Sequence, residues 1–176
     1  AQRGLAKIAT LVQEARRENP NTLLIDCGDA IQGTPVASLY QTYVRTGRWP
    51  LGIEPGVPPL RRDPMMLAMN ALGYEAMVLG NHEFNFGLKN LARRREEARC
   101  PWLSANTIAA PASAVKPFQA YIVKSVGGVK AAVIGITTPS IPSWEQPENY
   151  RGLKFVDGVE AAAATVAELR RRERPD

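Results

Sequence analysis

Apolar residues recur along this chain with two different periods, and the switches between them mark its elements. From Gly4 to Glu18, Leu5, Ile8, Leu11, Val12 and Ala15 fall on one helical face. Asn19-Pro20 ends that helix, because proline cannot continue it. Thr22 to Asp26 (TLLID) is a continuous apolar run, the pattern of a buried parallel strand. The loop Gly28 to Thr34 follows, and Val36 to Val44 reads as helix. Residues 46–62 are rich in glycine and proline and form an irregular excursion, not a domain linker, since the periodic pattern resumes directly after them. Asp63-Pro64 then supplies an N-cap and a proline at the first helical position, with Gly73 as the matching stop. Glu75 to Leu79 is a second buried strand, Gly80 to Phe86 its following loop, Gly87 to Ala98 a helix, and Trp102 to Ala105 a short third strand.

Tyr121 to Val126 and Val129 to Ile136 flank Gly127-Gly128, a tight hairpin signal. The second arm, VKAAVIGI, is apolar enough to lie centrally in a sheet. Residues 137–152 read as a proline-punctuated loop, and a last helix starts at Asp157 with Glu160 in capping-box spacing. Alternation of strand and helix with one hairpin predicts an α/β fold: a mixed, largely parallel sheet with helices on both faces.

Composition narrows this picture without redirecting it. With 176 residues, 45% apolar and 22% charged, the chain suits one globular domain or most of one. No apolar run is long enough to span a bilayer. The net charge of +5 is concentrated at Arg93-Arg94-Arg95 and Arg170-Arg171-Arg172. Glu96, Glu97, Glu168 and Glu173 stand close by, so both clusters read as solvated helix faces with local ion pairs rather than a nucleic-acid stripe. Cys27 and Cys100 fall at opposite ends of their strands and are expected as two free thiols, Cys27 as a small buried hydrophobe.

Two loops carry candidate chemistry. Gly28-Asp29-Ala30-Ile31-Gln32-Gly33 and Gly80-Asn81-His82-Glu83-Phe84-Asn85-Phe86-Gly87 each follow a buried strand. In open α/β sheets, ligands bind in the crevice beyond the strands' carboxyl ends. Asp29 offers a carboxylate able to bridge divalent cations, and Asn81 a neutral amide oxygen. His82, the sole histidine, can coordinate a metal or act on a leaving oxygen. Each residue has a plainer account as well. Asp29 suits a turn, His82 a structural hydrogen bond, Asn85 an N-cap of the next helix, and Glu83 an anchor for its loop.

Gly28-Asp29 and Gly80-Asn81-His82-Glu83 resemble the central two signatures of the calcineurin-like metallophosphoesterase superfamily. The strings LLIDCGDAIQGTP, MNALGYEAMVLGNHEFNFGL and ITTPSIPSWEQPENYRGL are similar to its bacterial 5′-nucleotidase and 2′,3′-cyclic-nucleotide 2′-phosphodiesterase branch, with HEFNFG leaning toward the cyclic phosphodiesterases. The resemblance implies an α/β/β/α sandwich. It implies Asp29 and Asn81 as ligands of two divalent metals (Zn, Mn, Mg, Fe or Co), and His82 as the group acting on the phosphoryl or leaving oxygen. It also implies that Asn85 takes the place of an aspartate that orients this histidine in many nucleotidases. The implied reaction is hydrolysis of nucleotide or other small phosphoesters by a two-metal-activated hydroxide. No nucleic-acid polymer is implied as partner, and the implied location is periplasmic, secreted or wall-attached.

The family's leading Asp-x-His motif, its later metal histidines and its nucleoside-binding domain have no counterpart in residues 1–176. The chain is therefore expected to be part of a metallophosphoesterase catalytic domain, inactive when isolated. The alternative is a non-catalytic α/β binding module of the same shape.

Overall fold

In the computed structural model, residues 4–48 and 62–176 are described. The opening amphipathic pattern forms α1 (Leu5–Glu18). Its apolar face is only partly used, however: no residue of α1 is buried, and Leu5, Ile8 and Leu11 stay exposed. The helix is held instead through Arg16, whose guanidinium donates to the carbonyls of Leu72 and Gly73 at 2.6 and 2.9 Å. Those carbonyls end α3 (Pro64–Leu72), where a cation suits the negative end of the helix dipole. The cap expected at Asp63 is present, its carboxylate accepting from the N–H groups of Met65 and Met66. α2 (Pro35–Thr46) begins one residue before the expected Val36, because the Thr34 side chain caps it by accepting from Ala37 N. The expected excursion at 46–62 lies mostly outside the described residues; within them, Thr46 still belongs to α2 and Gly47 follows it in the left-handed region.

Three short strands, β1 (Ile25–Asp26), β2 (Ala76–Val78) and β3 (Trp102–Leu103), pair in parallel in the order β1-β2-β3. All three were expected longer. β1 is the edge and is only half-buried, which corrects the reading of TLLID as a fully buried strand, whereas Ala76, Met77, Trp102 and Leu103 are buried. Between β2 and β3 lies α4 (Leu88–Glu97). The core gathers around β2, from Met66 and Met69 of α3, Met77 and Leu79, Leu88 and Leu91 of α4, and Trp102.

The remaining strands form two separate ladders. β4 (Thr107–Ala109) pairs antiparallel with β7 (Leu153–Phe155), a pairing that short runs with no hydropathy pattern did not announce. β5 (Tyr121–Val126) and β6 (Val129–Ile134) form the expected hairpin, with positive φ at both Gly127 and Gly128, as a mirror-image turn requires. Among the described residues β6 pairs with β5 along its length and is half-buried, so most of the arm is not central; just beyond it Gly135 accepts from Ala105 N at 2.8 Å and donates to Ala120 O at 3.0 Å. The loop at 137–152 contains a short helix, α5 (Ile141–Trp144), and a 3-10 turn at Pro147–Tyr150. The closing helix α6 (Gly158–Arg172) is capped by Asp157, which accepts from Val159 N and Glu160 N. The mixed α/β class stands, with the strands divided among three sheets instead of one.

The basic clusters separate in space. Arg172 pairs with Glu168 at 2.9 Å on a solvated face, as expected. Arg94 does not belong to such a face. It is fully buried and bonds Asp63 and Glu97 at 3.3 and 3.1 Å. Arg95 donates to the carbonyls of Lys116 and Pro117 and stacks over Phe118 at 4.7 Å. A one-residue step along a helix turns the side chain by about 100°, so adjacent arginines meet different surroundings.

Candidate metal and phosphoryl site

The two glycine-led loops meet. Gly28 and Gly80 approach so closely that a Cβ on Gly28 would lie 2.3 Å from Gly80 N, and one on Gly80 would lie 2.2 Å from Asp29 Oδ1. Only glycine fits either position, because the contact is with backbone or with a fixed carboxylate. Asp29 itself sits at φ 61°, a region that costs an L-residue roughly 1 kcal/mol or more and that aspartate visits more readily than most.

Glu83 is the post that holds this arrangement. Its side chain is fully buried. Oε2 accepts from Asp29 N and Gly80 N, and Oε1 from Ala30 N, all at 2.8 Å. Burial pushes the Glu83 carboxyl up from its ordinary range and Asp29's charge adds to this, against the opposing pull of the three N–H groups. Glu83 thus anchors the loop by hydrogen bonds, the plainer of the readings its position allowed. Asp26, one turn of the chain earlier, accepts from Gly28 N, and burial likewise raises its carboxyl.

Asp29 Oδ1 accepts from His82 N at 3.0 Å, across 53 residues of sequence. Asn81 lies between Gly80 and His82 and opens the 3-10 turn His82–Phe84. Asp29 is exposed, and Asn81 and His82 are half-buried, so the three residues meet through their loops at one junction open to solvent. The hydrophobic underside of the turn is Phe84, fully buried and edge-on to Phe155 of β7 at 5.4 Å.

Asn85 departs from the N-cap expectation. Gly87 takes the cap position of α4, with no side-chain cap bond. The Asn85 side chain faces the other way: Oδ1 lies 2.5 Å from His82 Nδ1, and Nδ2 donates to Glu145 Oε1 at 2.9 Å. Asn149 donates to Glu145 Oε2 at 2.6 Å and reaches the Asn85 carbonyl at 3.4 Å. Glu145 and Asn149 were missed as site residues. They lie in SWEQPENY, a string that marked the family resemblance without assigning either residue a task.

Cys27, expected buried, is exposed at the β1 tip, because β1 ends at Asp26 and the chain turns outward. Cys100 is buried, and burial raises its thiol pKa; both thiols are free.

As a metal centre, the junction offers hard oxygen donors of the right kind. Asp29 keeps Oδ2 available beyond its bond to His82 N, and the Asn81 side chain makes no cap bond. The number of donors is short: among the described residues no group of three His, Cys, Asp or Glu could hold a metal ion. Also among the described residues, no helix is long and apolar enough to cross a membrane.

The family model for calcineurin-like phosphoesterases matches residues 2–162. The trifunctional nucleotide phosphoesterase YfkN of Bacillus subtilis is 32% identical over 95% of this chain. The 2′,3′-cyclic-nucleotide 2′-phosphodiesterase/3′-nucleotidase of Haemophilus influenzae is 30% identical over 96% of it. The chain spans only 11% and 25% of the lengths of those two relatives. Among solved structures, the 5′-nucleotidase precursor of Thermus thermophilus superposes with a TM-score of 0.74 at 31% identity, over 97% of this chain and 29% of that one.

Proposed function

The chain belongs to the calcineurin-like phosphoesterase family, and from that membership we propose that it forms part of a catalytic domain hydrolysing phosphate esters of nucleotides. The observation that carries the reading is the bond from His82 N to Asp29 Oδ1, which draws both signature loops into one junction. The names of the relatives supply the substrate class: 5′-nucleotides or 2′,3′-cyclic nucleotides.

In this reading Asp29 and Asn81 would hold divalent metal through their side-chain oxygens, together with donors from outside the described residues. When bound, such metals neutralise charge on the phosphoryl oxygens and ease deprotonation of water. The chain's own residues do the rest. Glu83 fixes the spacing of the loops, so that Asp29 need not reorganise when substrate arrives. His82 is tethered at Nδ1, which leaves Nε2 on the far side of the ring from Asn85 as the nitrogen that would act on the leaving oxygen of a bound ester.

The test uses the full-length protein assayed against a 5′-nucleotide and a 2′,3′-cyclic nucleotide. His82→Ala is expected to lower kcat by about 10²- to 10⁴-fold, the range of a general acid or base, with metal content by mass spectrometry unchanged. Loss of metal would make His82 a ligand instead. Nucleotide binding without turnover by the wild type would put the non-catalytic binding module in place of the hydrolase.

A further inference from the structure

Glu145 sits 60 residues beyond Asn85 and accepts from its amide, whose other end lies against the His82 ring. We propose that Glu145 is a positioning residue that sets the tautomer of His82 through the amide of Asn85.

The argument runs through donor and acceptor types. A carboxylate accepts and cannot donate. Each Glu145 oxygen accepts from an amide, Oε2 from Asn149 Nδ2 and Oε1 from Asn85 Nδ2. With Nδ2 committed there, the only face Asn85 can offer His82 is Oδ1, at 2.5 Å from Nδ1. An amide oxygen also accepts only, so Nδ1 must carry the proton. In the neutral ring the lone pair is then on Nε2, the nitrogen turned away from Asn85. Reversing the amide would set its oxygen against a carboxylate oxygen, two acceptors with no proton between them. A solvated histidine side chain favours the opposite tautomer, with the proton on Nε2, so the protein imposes this one.

The relay is built to be stiff. Glu145 ends α5, where its N–H bonds Ile141 O at 2.9 Å, and Ile141 is fully buried. Asn149 lies in the following 3-10 turn, begun by Pro147, and also reaches the Asn85 carbonyl. A neutral amide between ring and carboxylate transmits orientation without placing a full negative charge on Nδ1. The tautomer stands or falls independently of the phosphoester reading, on which rests only what Nε2 acts upon.

His82 is the sole histidine, so ¹⁵N-histidine labelling of the 176-residue chain gives two ring-nitrogen signals that need no sorting among residues. Spectra are taken without metal, at a pH where the ring is neutral. The wild type is expected to show a protonated-type signal from Nδ1 and a bare-type signal from Nε2. In Glu145→Gln, the new amide can present nitrogen or oxygen and Asn85 is free to turn over. The ratio of Nδ1–H to Nε2–H should then fall about tenfold, as loss of a charge-assisted bond of roughly 1.4 kcal/mol implies. Adding Asn85→Asp to Glu145→Gln puts an acceptor-only group back beside Nδ1 and should restore the wild-type ratio. A wild-type ring protonated on Nε2 overturns the proposal with no variant needed. So does an unchanged ratio in folded Glu145→Gln, or a double variant that does not recover. A wild-type Nδ1–H signal in a full-length protein without turnover would sink the hydrolase reading and leave this one standing.

Discussion

Asp29 holds a left-handed φ of 61° because everything around it specifies that conformation: Glu83 accepts its N–H, its carboxylate accepts from His82 N, and Gly80 leaves room for that carboxylate. Strain of this kind persists only where surroundings over-determine it, and it concentrates where a side chain must be aimed. Glu83 is the residue on which the aim depends. Truncating it leaves three part-buried N–H groups without their acceptor, and hydrogen bonds to a charged group are worth more than neutral ones. Since desolvation of the carboxylate offsets part of that gain, Glu83→Ala is expected to cost about 2–4 kcal/mol by urea unfolding. A loss below about 0.5 kcal/mol would mean that the loops are held by something else.

At the scale of elements, α4 shows how one helix divides like residues among different tasks. Arg93 reaches Glu97 on the outer face at 3.2 Å. Arg94 is buried among Asp63 and Glu97, while Gln41 of α2 donates to the same Asp63 carboxylate at 2.8 Å. That polar knot joins α2, α3 and α4, and it shares Asp63 with the cap of α3. Removing one partner of a buried ion pair leaves the other uncompensated. Arg94→Leu should therefore lower stability by about 3 kcal/mol or more, whereas Arg93→Ala should cost under about 1 kcal/mol, as exposed pairs do. Equal effects from the two variants in guanidinium unfolding would refute the distinction. α1 is the contrasting element: an apolar stripe drawn clearly in sequence, held in space by Arg16 bonds and left exposed at Leu5, Ile8 and Leu11.

For the molecule as a whole, donor supply sets what the chain can do by itself. Asp29 and Asn81, the proposed metal ligands, stand at a formed junction, but among the described residues no group of three His, Cys, Asp or Glu could hold a metal ion. Octahedral or five-coordinate metals ask for more than that, even with water completing the shell. Titration calorimetry of the 176-residue chain with Mn²⁺ or Zn²⁺ is expected to give weak binding, no tighter than micromolar, and assays of the same chain little or no nucleotidase turnover. Nanomolar affinity would mean that ligands beyond Asp29 and Asn81 are already present in it.

The sequence by itself determined the features that rest on a few neighbouring residues. Asp63 and Asp157 announced their helices because a cap bonds N–H groups two and three positions on. Gly127-Gly128 announced the hairpin because the turn needs positive φ at both positions. The two glycine-led loops were legible because each directly follows a strand in sequence, which fixes the end of the sheet where it emerges. Tertiary structure decided whatever depends on partners far along the chain. Burial of Arg94, exposure of Cys27, the β4 and β7 pairing, and the turning of Asn85 from an expected cap to the link between His82 and Glu145 all belong to that group. No local pattern encodes them, because a side chain's hydrogen bonds go to whatever packing brings within about 3 Å, and residues 60 apart in sequence meet only once the fold has formed.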